Sequence, residues 1–592
     1  MEDTVRFHGS LGKVGEPCRN FCIFAQMILQ DPRDGREKLV LSNFSSMSVG
    51  SLILIDTQNG AGEAIPLPGD SGAWALCQPD EDTLLVGTCE EHGYLHRLDL
   101  RTRTWAKTLS ISGETYIWNL VLGSDGKVYG GTYPGCLLIC YDPKLHQLET
   151  KGRMSPHPGN LYTRHVYAGI PGYLIVSGGM EQPFLQAWSL REERFRPFGR
   201  QGAAVLHVTE HWICTELEEI REYIDPATWE VMAEPDGAES LLSSAYSLNE
   251  RIKIPVVQGA KGYLYGVRGQ EYITVAPDGS AVLRRIPTAP PPTGIHTLIL
   301  DGEGKIWGSC ALGQTIFWYD PDTEERWNSP SVCDGGGEVY GMVFIDQRLY
   351  MASYSGGDHI EYRPDQAWNQ VDNINPRTLH AIGPQWIRPL GRSALGPGGE
   401  LWTGWSARYG VYGGAISRLN SQTGEVEIWE NPVQGQQVSG IAADGNYIYF
   451  TTNGGGNGMV EKAEPHHFVV ADKDQVIHFQ KPMPEGVGLS AITVLEGLVL
   501  IAAGTRILGF DPARMRFIHE VGIPEPCSLL LPLDSGKAAA FCGTALWLIN
   551  AEGNQAEHVY TLPGPVRAAV LRGKDQLYFG VGTELYVVRI AL

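Results

Sequence analysis

The chain has 592 residues, 46 Lys plus Arg against 67 Asp plus Glu, and so a formal net charge of −21, with 43% hydrophobic residues. That apolar fraction excludes general disorder, and the length exceeds one ordinary core, so two domains or a ring of repeats is expected. The acidic balance argues against duplex nucleic acid or an anionic membrane as partner, because both reward clustered Lys and Arg; a small anion held by a few arginines remains compatible with it.

From Met1 to Cys18 the chain is polar, and no run of about 18 apolar residues follows anywhere, which reads as a cytoplasmic protein with no membrane span. The 11 cysteines are scattered. Cys18 with Cys22 and Cys136 with Cys140 lack a second pair at zinc-binding spacing, so buried thiols are expected rather than a metal centre. The insertion holding Glu461, Glu464, His466 and His467 carries metal-ligand residue types but reads as an exposed loop. No cofactor is expected; a divalent metal is left open.

One pattern recurs along the chain: a Gly or Asp turn, an alternating strand, a small-residue step, a second strand, then Asp or a substitute. It begins near Leu39 and Leu84, reads KVYGGTYPGCLLICYD from Lys127 to Asp142, and recurs near Tyr173, Trp212 and Tyr263. It returns as KIWGSCALGQTIFWYD from Lys305 to Asp320, then near Leu349, Leu401 and Tyr447, as VLIAAGTRILGFD from Val499 to Asp511, and near Ala538 and Leu577. The first copies are regular: Asp56, Asp99 and Asp142 are 43 residues apart. Short alternating strands rich in Val, Ile, Tyr and Trp, without helical periodicity, predict an all-β chain of propeller blades.

These 13 hairpins exceed one ring, so two β-propellers in tandem are expected. A fourteenth, degenerate or closed by strands from both termini, would make two sevens. The expected domains are an N-terminal, site-bearing propeller over 1–330 and a C-terminal propeller over 331–592, with loops to about 412 adding to the site. The Pro-rich step Thr288–Thr293 competes as the boundary.

In the units Asp125–Asp142 and Gly302–Asp320 the repeat resembles the bacterial β-propeller superfamily of streptogramin-lyase-like, SMP-30-like and quinoprotein-like repeats. That resemblance spans nearly the whole chain and implies the fold. It also implies kinship with propeller-type polysaccharide lyases acting on uronates, although their catalytic residues do not map here one for one.

Residues at the start of each blade's first strand look into the central funnel. Substrate-binding candidates there are Trp118, Tyr162, Arg164, His207 and Trp386, joined by Arg408 and Tyr409 from a loop; the catalytic candidates are His165, His296, Tyr340 and Arg388. Arg392 follows on the strand of Arg388. Strict alternation would keep Arg164 and His165 from facing the channel together unless a bulge intervenes. The later openings, QVSGIAA, GLSAITVL, PCSLLLPL and PVRAAVLR, read as small and apolar.

This combination suits a uronate. Arg neutralises the carboxylate and acidifies the neighbouring C–H, His or Tyr moves protons, and aromatic faces stack on sugar rings. The expectation is a carbohydrate-active lyase cleaving uronate-containing oligosaccharides by β-elimination, with the oligosaccharide as partner. A non-catalytic interaction scaffold and a carbohydrate-binding or glycoside-hydrolysing propeller are the alternatives.

Overall fold

The computed structural model describes residues 6–7, 11–238, 245–533, 536–550, 552 and 554–591. Their regular structure is β, with two single-turn 3-10 segments. The strands form thirteen antiparallel sheets of four or five strands, nearly all simple meanders in chain order. The thirteen hairpins seen in the sequence correspond one to one with these sheets. The inferred fourteenth copy has no sheet among the described residues.

Two recurring side-chain devices explain the repeated pattern. The Asp closing the third strand caps the next turn: Asp56, Asp99, Asp142 and Asp511 each accept from main-chain amides two and three residues on. The Asp of the turn after the first strand accepts from an aromatic on the second. Tyr129 donates to Asp125 at 2.8 Å, Trp307 to Asp301 at 2.9 Å and Tyr449 to Asp444 at 2.6 Å. Glycine is required where sheets meet closely: a Cβ on Gly131 would sit 2.2 Å from the Thr163 carbonyl oxygen of the next sheet.

The chain divides into a unit of Phe21–Ala289 and a unit of Met1–Asn20 with Pro290–Leu592. The first holds six sheets and the second seven. The first strands of successive sheets are neighbours throughout the second of these and across the first four sheets of the other, and the apolar cores lie between sheets, as in a β-propeller. Val40, Leu52 and Leu54 of one sheet, for example, pack on Ala73, Leu84 and Val86 of the next. Both rings close. Leu39 and Ile53 of the first sheet meet Tyr265 and Tyr272 of the sixth. In the other unit Ile295, Ile306 and Phe317 pack against Ala568 and Tyr578 of the last sheet, which Gly12–Gly15 joins by pairing with Glu584–Ala591.

The unit boundary therefore falls inside the Pro-rich step and not at 330. The sheet over 295–328 shares its core with the last sheet of the chain. The segments on either side of Phe21–Ala289 bind each other as well: Thr293 N–H donates to the Cys18 carbonyl at 3.1 Å, and Asn20 N–H to that of Pro291 at 3.3 Å. Dividing the hairpins into two sevens hid this, because it assigned the sheet over 295–328 to the first ring. All eleven cysteines are free thiols, ten of them buried. No helix among the described residues is long and apolar enough to cross a membrane.

Candidate functional site

Most first strands carry a β-bulge at the same place. In the Phe21–Ala289 unit the pairing to the second strand skips Phe24, Trp74, Trp118, Arg164 and Leu206 in five successive sheets. In the other unit it skips His296, Tyr340, Ile387, Ser439, Ser490 and Ser528. A bulge leaves one residue out of the ladder and re-aims its side chain. Contacts between skipped residues of neighbouring sheets show that they converge: Phe24 stacks on Trp74 at 4.2 Å, Trp74 lies 5.7 Å from Trp118, and His296 meets Tyr340 edge-on at 4.6 Å. The bulge at Arg164 is the exception to alternation on which its shared orientation with His165 depended.

In the Phe21–Ala289 unit these side chains mostly satisfy one another. Trp118 stacks on Tyr116 at 4.6 Å and Tyr162 at 5.5 Å, and the Arg164 guanidinium lies 4.1 Å from its ring centroid and 5.1 Å from that of Trp74. The faces of Trp118 are thus occupied by protein rings and a cation. His165 lies 5.8 Å from Tyr167 and keeps an exposed side chain; desolvation, then the charge of Arg164, lowers its pKa. His207 packs 5.4 Å from Trp212.

The Pro290–Leu592 unit is built differently: His296, Glu338, Tyr354 and Arg388 are half-buried, Tyr340 is buried and Tyr409 is exposed. Tyr340 donates to Glu338 Oε1 at 2.7 Å. Arg388 lies over the Tyr354 ring at 4.2 Å and donates from Nη2 to the Tyr409 hydroxyl at 3.4 Å, while Tyr354 and Tyr409 hydroxyls pair at 2.9 Å. Three buried polar atoms of this cluster have no partner: Arg388 Nε, Glu338 Oε2 and His296 Nε2. An unmade hydrogen bond on a buried polar atom costs about 1–3 kcal/mol, so three together are an unusual concentration.

Electrostatics follow from the packing. Burial, then the charges of Arg392, Arg567 and Arg388, lowers the His296 pKa to about 3. It is therefore an uncharged hydrogen-bonding group at neutral pH and a feeble base. Burial raises the Glu338 carboxyl, partly offset by the Tyr340 hydrogen bond and the Arg388 charge. Tyr340 is raised by burial and then by Glu338, and stays a protonated phenol. Burial opposes the charge of Arg388, but Tyr340, Tyr409, Tyr354 and Glu338 outweigh it and raise its pKa.

The candidate residues thus separate. His296, Tyr340, Arg388 and Tyr409 come together in one funnel, whereas Trp118, Tyr162, Arg164, His165 and His207 belong to the other unit. Trp386 is a core residue, 2% exposed, with its indole donating to Glu430 at 3.2 Å. Arg408 is exposed, and its main-chain N–H donates to the Gln385 carbonyl. Glu338, Tyr354 and Arg567 belong to the funnel and escaped sequence reading. Glu338 stands two residues before Tyr340 in GGEVYGMVF, and Arg567 lies in PVRAAVLR, which read as small and apolar.

Later sheets of this unit fill the skipped position with serine. Ser490 donates to the Cys527 carbonyl and Ser528 to that of Val566, both at 2.6 Å, so these hydroxyls turn back onto neighbouring main chain. Two grooves lie elsewhere, at sheet seams: one of 590 Å³ lined by Glu37, Tyr265 and Arg284, another of 750 Å³ lined by Met483, Arg506 and Phe517. No group of three or more His, Cys, Asp or Glu arranged to hold a metal occurs among the described residues.

No protein-family model and no curated protein matches the chain. Among solved structures it is similar to the Neurospora crassa Pan2 WD40 domain, at 13% identity over 50% of this chain and 89% of that one, with a TM-score of 0.38. It is also similar to PorZ, a surface component of the type-IX secretion system of Porphyromonas gingivalis, at 9% identity over 97% and 86% of the two chains, with a TM-score of 0.38. The extracellular domain of BT4673 from B. thetaiotaomicron matches at 11% identity over 99% and 82%, with a TM-score of 0.27. At these values the fold rests on the sheet topology, a β-propeller in each unit.

Proposed function

We propose that the funnel of the Pro290–Leu592 unit recognises a carboxylate-bearing sugar, and that its chemistry is β-elimination on a uronate-containing oligosaccharide. The observation that carries this reading is the convergence of three unpartnered buried atoms, Arg388 Nε, Glu338 Oε2 and His296 Nε2, in a funnel walled by tyrosines. A ligand that supplied partners to them would relieve their desolvation cost, and a carboxylate is the natural partner of a guanidinium.

Roles follow from protonation. Arg388 neutralises the uronate carboxylate and so acidifies the adjacent C–H. Glu338, in its ionised fraction, takes that proton. The electron pair of the C–H bond forms the C=C bond as the neighbouring C–O bond breaks. Tyr340, a protonated phenol beside Glu338, gives a proton to the leaving oxygen. Neutral His296 holds a sugar hydroxyl, and Tyr354 and Tyr409 flank the ring.

The channel of the Phe21–Ala289 unit supports a second reading, the non-catalytic scaffold, because its aromatic side chains are stacked on each other. One experiment separates the two. Incubation with a panel of uronate oligosaccharides, followed by absorbance of the unsaturated product, gives a rising signal if the funnel eliminates and none if the protein is a scaffold. Loss of the signal in Glu338→Gln and in Tyr340→Phe, with folding intact, would tie it to this funnel.

A further inference from the structure

A second set of cations lies in the same funnel. The first strand of the third sheet of this unit pairs Arg388 with Ser406 and then Arg392 with Gly404, so residues 389–391 bulge out of the ladder. Arg392 at its end has a φ of +59°, a left-handed conformation that a residue with a long side chain rarely adopts. Such strain persists only where the surroundings enforce it, and it collects at functional positions. Its side chain reaches across the channel: Nη2 donates to the His296 carbonyl of the first sheet at 3.4 Å and to the Arg567 carbonyl, just before the last sheet, at 3.2 Å.

Arg567 is exposed and close enough to act electrostatically on both Arg392 and His296. Like charges gathered this way repel, and burial alone already disfavours the charge on Arg392. Among the described residues none of Arg388, Arg392 and Arg567 has a carboxylate within ion-pairing distance, in a protein that carries 67 acidic side chains. Glu338 acts on Arg388 from beyond that distance. Bringing three cations together while sparing them carboxylates makes sense if anions arrive from outside.

We infer that Arg392 and Arg567 form a second anion subsite beside that of Arg388, so that the funnel takes a ligand with at least two anionic groups, such as two successive uronates. This inference rests on the reading of the funnel as a carboxylate site and extends it from one uronate to an oligouronide. Two carboxylates or a condensed phosphate present the same chemistry to these guanidiniums, and the probes below tell them apart.

Calorimetric titration of the full chain with monomeric galacturonate, its di- and trimer, neutral galactobiose and pyrophosphate tests it. The expected result is binding of the dimer on the order of 10-fold or more tighter than of the monomer. Arg567→Gln costs the dimer more affinity than the monomer, so that the advantage disappears, and Arg567→Lys restores part of it. Arg388→Gln weakens monomer and dimer alike. Equal affinity for monomer and dimer in the wild type, or an advantage that survives both Arg567→Gln and Arg392→Gln, would overturn the second subsite while leaving the first. Binding of pyrophosphate alone, lost in Arg567→Gln, would keep the subsite and overturn the uronate reading. Absence of binding by every anion overturns both.

Discussion

The two propellers use one position of their blades in opposite ways. At the bulge of the first strand, the Phe21–Ala289 unit places Phe24, Trp74, Trp118 and Arg164, whose rings and cation stack on one another. The Pro290–Leu592 unit places His296 and Tyr340 there, with Arg388, Arg392 and Arg567 around them, and leaves three buried polar atoms of the cluster unpartnered where the aromatic stack leaves Trp118 Nε1. An aromatic channel whose faces are occupied contributes to stability. A polar funnel with unmade hydrogen bonds and crowded like charges costs stability, and that cost identifies it as the better candidate for function.

That contrast can be broken in several ways, and the largest effect on binding belongs to the funnel. Arg388→Gln is expected to weaken binding of a uronate oligosaccharide by on the order of 100-fold, as loss of a buried charge-assisted pair does, whereas Trp118→Ala leaves binding unchanged. Titration calorimetry on both variants checks this, and a loss in Trp118→Ala would put the ligand in the other channel. The reverse holds for stability. Trp118→Ala removes a ring packed on Tyr116, Tyr162 and Arg164 and is expected to destabilise by about 3 kcal/mol, read by denaturant unfolding.

Glu338→Gln sharpens the comparison through pH. The folded state holds the Glu338 proton more tightly than the unfolded chain, so stability is lost as pH rises from the usual carboxylate value through the carboxyl's raised value and levels off above it. The variant is therefore expected to unfold at higher temperature than the wild type at pH 7 to 8, with a gain that vanishes below the usual carboxylate range. His296 works in the other direction. With its folded pKa lowered to about 3 from 6.5, the unfolded chain binds more protons between those values, and stability drains away as pH falls through that window. His296→Gln is expected to flatten this acid limb in thermal melts. The smallest effect is that of Ser528→Ala, about 1 kcal/mol, with binding intact, because that hydroxyl only bonds main chain.

Much of the fold was legible because each repeat carries its own local chemistry. The Asp caps and the Asp–aromatic pairs are set by neighbouring residues, so all thirteen sheets could be found from spacing. The unit boundary was less legible: what decides it is the packing of the sheet over 295–328 against strands near residue 578, and no local pattern records a contact of that range. For the site, types were easier to read than surroundings. His296, Tyr340 and Arg388 were chosen by position, and they do converge. Trp118, Tyr162 and Arg164 were chosen by the same rule, yet nothing local reveals that Phe24 and Trp74 from other blades complete their stack. The recurring bulge does have a signal, one large residue near the start of each first strand, and applying it to every blade would have added Phe24 and Trp74.

The most direct measurement is a crystal structure of the full chain with a bound oligouronide. The account predicts density in the funnel of the Pro290–Leu592 unit, with one carboxylate against Arg388 and a second against Arg392 and Arg567. Density in the aromatic channel of the Phe21–Ala289 unit or at a sheet seam, with this funnel unchanged, would contradict it.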